Sequence, residues 1–494
     1  MRHGDIVEGV ITRVEFPNRG IMEVDGERVI TKNVLPGQTV SVRVLKKRSN
    51  HYEGNVLEVI KKADYEREDC CEHYPACGGC LYQSMPYDMQ LELKRAQVKK
   101  LIDDAYPEEY TFGPIHPSPS SSAYRNKMEF SFGDLVKDGP LTLGLHKRAT
   151  TYDVISVTNC QIVDEDFRTV LRTVLEFYEN RDIAYYRKTT HEGFLRHLLV
   201  RKSAFTGQML VALVTASGGM EYDELAKYLE LDKLCGELTS KCYTGTLTGF
   251  LHILNDSLAD VVQSDRTTIL HGTDVIEEKL LGLSFKITPF SFFQTNSKGA
   301  EVLYSVARDF IGDTANQTVF DLYSGTGTIA QIAASVAKKC IGVEIVEEAV
   351  VAARENARLN GITNCEFIAG DVLKVIDTIE EKPDMIILDP PRDGIHPKAL
   401  PKIINYGVSN IVYISCKPSS LARDLVYFHA AGYRIRRIEC VDMFPNTANV
   451  ETVCLLSKGS TMSSGHRLWT DRSEAETVKS QKLRVEFSLE DMDT

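Results

Sequence analysis

Four short apolar runs between residues 319 and 389 each end on or beside a carboxylate. They are Val319-Phe-Asp321, Cys340-Ile-Gly-Val-Glu344, Phe367-Ile-Ala-Gly-Asp371 and Met385-Ile-Ile-Leu-Asp389. Apolar runs of this length, bounded by turn residues, read as buried strands. A fifth run, Ile411-Val-Tyr-Ile, stops at Ser415-Cys416-Lys417-Pro418. Pro418 cannot donate a ladder hydrogen bond, so the strand ends there. Ser419 or Ser420 is then placed to cap a helix from Leu421. Strands that alternate with helices build an open α/β sheet, and such sheets bind ligands at the carboxyl ends of their strands. The acids and Cys416 all stand at that edge.

The first run continues as Leu-Tyr323-Ser-Gly325-Thr-Gly327-Thr, a strand–turn–helix whose glycines permit a tight turn and close approach of a ligand. Glu344 lies where an acid would take ribose hydroxyls. A dinucleotide site would want a third glycine, which Ile329-Ala330 does not supply. The spacing therefore fits an S-adenosylmethionine methyltransferase better than a dehydrogenase. Cys416 has two readings: a small buried hydrophobe, or a nucleophile whose pKa is lowered by the following helix N-terminus and by Lys417. Glu451 stands in the apolar run Val450-Glu-Thr-Val, where a carboxylate is costly unless it is functional or paired.

With 494 residues the chain is too long for one core. We expect a barrel at 1–62, a central domain at 63–270, the α/β domain at 271–458, and a Ser/Thr- and charge-rich linker at 459–494. Residues 1–62 alternate in short runs broken at Pro17-Asn-Arg-Gly, Asp25-Gly and Pro36-Gly, the rhythm of a small antiparallel barrel. Eleven Lys/Arg there outnumber eight Asp/Glu, although the whole chain carries −12. A solvated face and an RNA grip both fit this local excess. No apolar stretch approaches the ~20 residues of a membrane helix, and the charged N-terminus is unlike a signal peptide, so a cytoplasmic protein is expected. In that compartment twelve cysteines point to metal or catalysis rather than disulfides.

Three cysteines cluster in Cys71-Glu-His-Tyr-Pro-Ala-Cys77-Gly-Gly-Cys80. The second well-separated pair usual for zinc is missing, and Cys160 is the best-placed distant partner. Three clustered thiols with one distant thiol suit a [4Fe–4S] cluster better than zinc, for which His73 would be a further ligand. In the central stretch Arg125, Lys127, Arg196 and His197 are read as meeting phosphates, and Phe130 as stacking on a base, each from a strand with one polar face. In the tail, Leu483-Arg-Val-Glu-Phe-Ser-Leu alternates as an added edge strand would.

Together these stretches resemble the iron–sulfur branch of the RNA uracil-5-methyltransferase family, which acts on 23S ribosomal RNA and carries an N-terminal TRAM domain. The resemblance rests on the barrel-like start, Cys71/Cys77/Cys80 with Cys160, Phe292-Phe-Gln-Thr-Asn, Asp321…Gly325-x-Gly327, Asp389-Pro-Pro-Arg, Ser415-Cys-Lys-Pro and Phe444-Pro…Val450-Glu. It implies an OB-like RNA-binding barrel, a central α+β domain holding the cluster, and a Rossmann-like methyltransferase domain. It implies Cys416 as the nucleophile that adds to carbon-6 of uracil and Glu451 as the base that removes the carbon-5 proton. Gln294, Tyr323, Gly325, Glu344 and Asp389 would hold S-adenosylmethionine, with Asp371 near the adenine. The expected partner is RNA, and the enzyme is expected to be monomeric and off the membrane. The family usually has Asn where this chain has Lys417, and His where it has Asn449. Three other readings stay open: a transfer-RNA uracil methyltransferase, an amino-group methyltransferase, and a non-catalytic iron–sulfur RNA-binding protein. Arg392 after Asp-Pro-Pro, where the amino-group enzymes have an aromatic, speaks against the second.

Overall fold

The computed structural model describes residues 1–258, 263–375 and 377–459. The tail strand expected at 483–489 lies outside the described residues, as does Trp469.

The N-terminal strands pair in the order Ile6–Val10, Thr39–Lys47, Tyr52–Lys61, Glu27–Lys32, Arg19–Val24, Arg13–Glu15. All neighbours are antiparallel except Glu27–Lys32 with Tyr52–Lys61. Asp25 and Gly26, with φ of 51° and 78°, make the two-residue hairpin turn that Asp-Gly favours. The sheet has an apolar cluster of its own, including Ile11, Val14, Met22, Val40 and Val42. The pairings seen among the described residues do not close it into a ring.

A seven-stranded central sheet follows, in the order Val154–Ser156, Thr142–His146, Lys127–Gly133, Leu195–Lys202, Gln208–Thr215, Thr246–Leu254, Arg266–Gly272. Its side chains alternate between two different cores. Leu198, Val200, Val211 and Leu213 pack with the helices Glu165–Glu179 and Leu231–Ser240. Leu199, Leu210, Ala212 and Val214 pack with the hairpin Ile276–Leu280/Leu283–Ile287 and the helix Ser297–Ile311.

The strand Leu195–Lys202 is covered on both faces, so the expectation of a polar face fails there, whereas Lys127–Gly133 keeps one, with Glu129 exposed and Lys127 and Ser131 half-buried. Arg196 is 4% exposed and donates to the carbonyls of Asn255 and Ser257, both at 2.7 Å. His197 and Phe130 are buried as well. The nearby Lys127 pairs with Glu129 at 2.8 Å, and Arg125 Nε donates to the Lys127 carbonyl at 3.1 Å. These side chains brace the sheet.

The third sheet has eight strands: Cys365–Ala369, Ala337–Glu344, Thr314–Leu322, Met385–Leu388, Asn410–Ser415, Glu451–Lys458, Tyr433–Val441 and Thr111–His116. The first five run parallel. Glu451–Lys458 is inserted antiparallel to both its neighbours. The strand order reverses between Thr314–Leu322 and Met385–Leu388, the point at which doubly wound sheets open a crevice. Alternation again assigns the faces. Val319, Ile387, Val412 and Val453 meet the helices Ser297–Ile311, Thr328–Ala334 and Glu347–Leu359. Phe320, Ile386, Tyr413 and Cys454 meet Tyr87–Ala105, Ala399–Asn405 and Pro418–Ala430. The helix Tyr87–Ala105 and the strand Thr111–His116, which lie in the stretch assigned above to a central domain, thus complete the C-terminal layer.

Candidate active site

The strand Asn410–Ser415 and the helix Pro418–Ala430 leave only Cys416 and Lys417 between them. The helix begins three residues before the expected Leu421. Proline at its first position loses no N–H that the helix needs. Neither expected serine caps it: Lys417 takes that place without a side-chain bond, and Ser420 Oγ donates to the Arg392 carbonyl at 2.9 Å. In the antiparallel ladder Ser415 pairs with Thr452. The ladder ends there, leaving Cys416 and Glu451 as the next residues along the two strands, and the Glu451 carboxylate is close enough to act on the Cys416 thiol.

Glu451 is 4% exposed. Burial, then the charge of Asp389, pushes its carboxyl up to about 8, against the lowering effect of Arg392. Cys416 is half-buried, and its thiol goes the opposite way from the expectation. Burial, followed by the charges of Glu451 and Asp389, raises it to about 12. The opposing cation is Arg392, which is exposed and donates to Asn449 Oδ1 at 3.4 Å. The sequence offers Arg392 as part of the Asp389-Pro-Pro-Arg motif and gives it no role beside the thiol.

Next to this pair lie the strand-end acids. Asp321 is completely buried, and neither of its oxygens has a well-formed hydrogen bond. Burial, Asp389 and Glu344 push it up to about 8, with the Ala330 amide working the other way. Asp389, raised to about 7 by burial, is close enough to act on Asp321, Glu451 and Cys416 alike. Glu344 Oε2 accepts from the Gly325 N–H at 2.9 Å, and Oε1 from Val346 N–H at 3.0 Å, so this carboxylate fixes the glycine loop. Asp371 Oδ1 accepts from Leu373 N–H at 2.9 Å.

Tyr323 adopts φ of 89°, a left-handed backbone that costs a non-glycine residue roughly 1–3 kcal/mol. Burial, then the charges of Asp424 and Asp371, raises its phenol to about 12. Gly325 and Gly327 also have positive φ. A side chain at Gly325 would meet nothing within 4 Å, so the loop there faces open space. One at Gly327 would strike the Phe367 ring at 2.6 Å. Gln294 lies beside Tyr304, a buried residue missed from sequence, which feels the charges of Asp389, Glu451 and Asp321. The loop bearing Gln294 is held from the central sheet by Arg201 Nη1, which donates to the Thr288 and Ser291 carbonyls at 2.8 and 2.7 Å.

The four cysteines come into electrostatic reach of one another. Gly79 N–H approaches Cys77 Sγ at 3.4 Å, Gln83 Nε2 approaches Cys80 Sγ at 3.6 Å, and the Ile162 and Val163 amides face Cys160. Burial leads in raising Cys80 to about 12 and Cys160 to about 11, the neighbouring thiols adding to it. Among the described residues no set of three or more Cys, His, Asp or Glu side chains is arranged to hold a metal ion. A separate cavity of about 640 Å³, lined by His116, Glu301, Asp309 and Arg437 among others, shares no residue with the site.

A doubly wound sheet, a glycine turn opening onto its crevice and acids closing the neighbouring strands define an S-adenosylmethionine-dependent methyltransferase. The buried carboxyl of Asp321, without a well-formed bond, and the open face of Gly325 suit a nucleoside with polar hydroxyls. A family model described as tRNA (Uracil-5-)-methyltransferase matches residues 254–459. An RNA methyltransferase of Clostridium tetani is 48% identical, covering 94% of this chain and 100% of its own length. One from Caldanaerobacter subterraneus subsp. tengcongensis is 43% identical, over 93% of this chain and all of its own. Among solved structures, the Pyrococcus abyssi tRNA (uracil-54, C5)-methyltransferase in complex with S-adenosyl-L-homocysteine superposes with a TM-score of 0.69 at 25% identity, covering 91% of this chain and 100% of that one. The chain belongs to the RNA uracil-5-methyltransferase family.

Proposed function

We propose that this enzyme methylates carbon-5 of a uridine in ribosomal RNA through a covalent bond between Cys416 and carbon-6. The observation that carries the proposal is that the ladder ending at Ser415 and Thr452 leaves Cys416 and Glu451 next along it, with Glu451 and Asp389 both in electrostatic reach of the thiol. When bound, S-adenosylmethionine supplies a methyl group on a sulfonium, and Gln294, Tyr323, Gly325, Glu344, Asp371 and Asp389 are the residues we assign to hold it. The Cys416 thiol gives up its proton to water, its sulfur forms a bond to carbon-6, and the ring's double-bond electrons move onto the carbon-4 carbonyl as an enolate. Carbon-5 then takes the methyl group, and the sulfonium's bonding pair leaves on sulfur. Glu451 removes the carbon-5 proton; the carbon-5–carbon-6 double bond re-forms and expels the thiolate. Arg392 is the cation in reach of both groups. The target base must be flipped out of its stack or already single-stranded.

Two variants test this. Cys416→Ala is expected to abolish turnover and form no adduct. Glu451→Gln is expected to methylate once and persist as a protein–RNA complex on a denaturing gel, since losing a general base costs ~10²–10⁴-fold. RNA carrying 5-fluorouridine traps the wild type at the same stage. Methylation by Cys416→Ala would refute the covalent route.

The ribosomal assignment draws on the four-cysteine group and the basic N-terminal sheet, which resemble the iron–sulfur branch and its TRAM domain. A polynuclear cluster asks for less convergence than a single ion, and the amides facing Cys77 and Cys160 suit cluster sulfur. Iron at about four per chain after anaerobic purification is expected; stoichiometric zinc would exclude a cluster. The likeness to a transfer-RNA enzyme favours the second reading, a transfer-RNA substrate. Deleting the gene and mapping 5-methyluridine separates the two, and loss from transfer RNA alone would decide for the second.

A further inference from the structure

Residues 442–450 contribute no group to the reaction above, yet buried bonds from separate parts of the chain converge on them. Lys94 and Asp442, both 0% exposed, meet at 2.7 Å, and Lys94 Nζ also donates to the Phe444 carbonyl at 3.1 Å. One helical turn earlier, Gln90 Nε2 donates to Asn446 Oδ1 at 3.0 Å and Gln90 Oε1 accepts the Asn446 N–H at 2.8 Å. The N–H groups of Leu81 and Tyr82, just beyond Cys80, donate to the Asn446 carbonyl at 2.8 and 3.0 Å. Tyr124 hydroxyl holds the Pro445 carbonyl and Asn296 holds that of Met443, both at 2.9 Å. Asn446 sits at φ of 67°, a conformation that a loop keeps only when its surroundings impose it.

A buried ion pair adds little net stability over apolar residues of the same size, because removing both charges from water costs about what their attraction returns. What it does supply is one geometry. The segment held this way runs directly into Glu451, the residue that must reach carbon-5.

We propose that Gln90, Lys94 and Asn446 are positioning residues for Glu451. They fix the loop whose end sets the carboxylate against the adduct, and they tie it to the cysteine-bearing segment at Leu81 and Tyr82. The proposal rests on the reading of Glu451 as the base.

The test uses the full chain with two variants, Gln90→Ala and Asn446→Gly; the glycine keeps the left-handed backbone and removes only the side-chain links. Lys94→Met would strand Asp442 and endanger folding, so it is not the test. Three quantities are measured: S-adenosylmethionine affinity by calorimetry, the rate of capture by 5-fluorouridine RNA, and turnover with uridine RNA. Affinity and capture are expected to stay within about twofold of wild type. Turnover is expected to fall about ten- to a hundredfold, the scale of a misplaced catalytic group, with methylated adduct accumulating. Unchanged turnover in both variants would overturn the proposal. So would a loss of capture and affinity in step with turnover, which is the mark of a merely structural role. If the wild type forms no adduct with fluorinated RNA, the reading of the reaction fails first and the positioning role with it.

Discussion

At the scale of single residues the site is a set of carboxyls kept out of water. Asp321, Asp389 and Glu451 are raised to about 8, 7 and 8, chiefly by burial. In the unfolded chain such groups ionise near pH 4. Between those values the folded protein binds more protons than the unfolded one, so stability falls as pH rises from about 4 through about 8. Asp321→Asn removes one of these groups without changing its size. The variant is expected to lose less melting temperature than the wild type between pH 6 and pH 9, and to bind S-adenosylmethionine more weakly at both. Parallel melting curves for the two proteins would refute the buried-proton account. The proposed mechanism carries the opposite sign: as the base, Glu451 acts ionised, so turnover is expected to rise as pH passes through about 8.

Among elements, the glycine turn separates fold from ligand. Gly327→Ala would drive a methyl group into Phe367 and Ala353 at φ of 77°, and is expected to cost stability as well as cofactor binding. Gly325→Ala meets open space, so about 1 kcal/mol of backbone strain is expected, with the larger loss in cofactor affinity. Thermal melts and calorimetry on the pair check this, and equal melting losses would contradict it. The turn was legible from sequence because its glycines, its strand and its acids lie within a few dozen residues. Arg196, His197 and Phe130 were misread for a physical reason: alternation tells which residues share a face, not whether something covers the second face. Tyr304 lay in an ordinary amphipathic helix, and Lys94 with Asp442 stands 348 positions apart. No local pattern marks either. The thiol of Cys416 was misjudged because the neighbouring helix and lysine are visible in the sequence, while Glu451 and Asp389 reach it only through the sheet.

For the whole molecule, the C-terminal layer cannot be cut out at residue 271. Val98 and Ile102, fully buried, pack in the same core as Phe320, Tyr413 and Leu425. A fragment of residues 271–459 would bare that face and leave Asp442 without its lysine. It is expected to show no cooperative melt and no near-ultraviolet circular dichroism, and a sharp melt would show that the layer stands alone.

The strand Thr111–His116 pairs with a partner 326 positions further on, Thr111 opposite Arg437. During synthesis at ~5–20 residues per second, this strand and the helix before it leave the ribosome roughly 15–65 s ahead of the surface they cover. Their apolar faces spend that interval needing a shield. Glu451 opens the final described strand, so the glycine turn and Cys416 leave the ribosome before the strand that pairs beside them. The sheet edge beside Cys416 is thus among the last parts of the described fold to close as the chain grows, and a chain interrupted before residue 451 leaves the strands Asn410–Ser415 and Tyr433–Val441 without the strand that joins them.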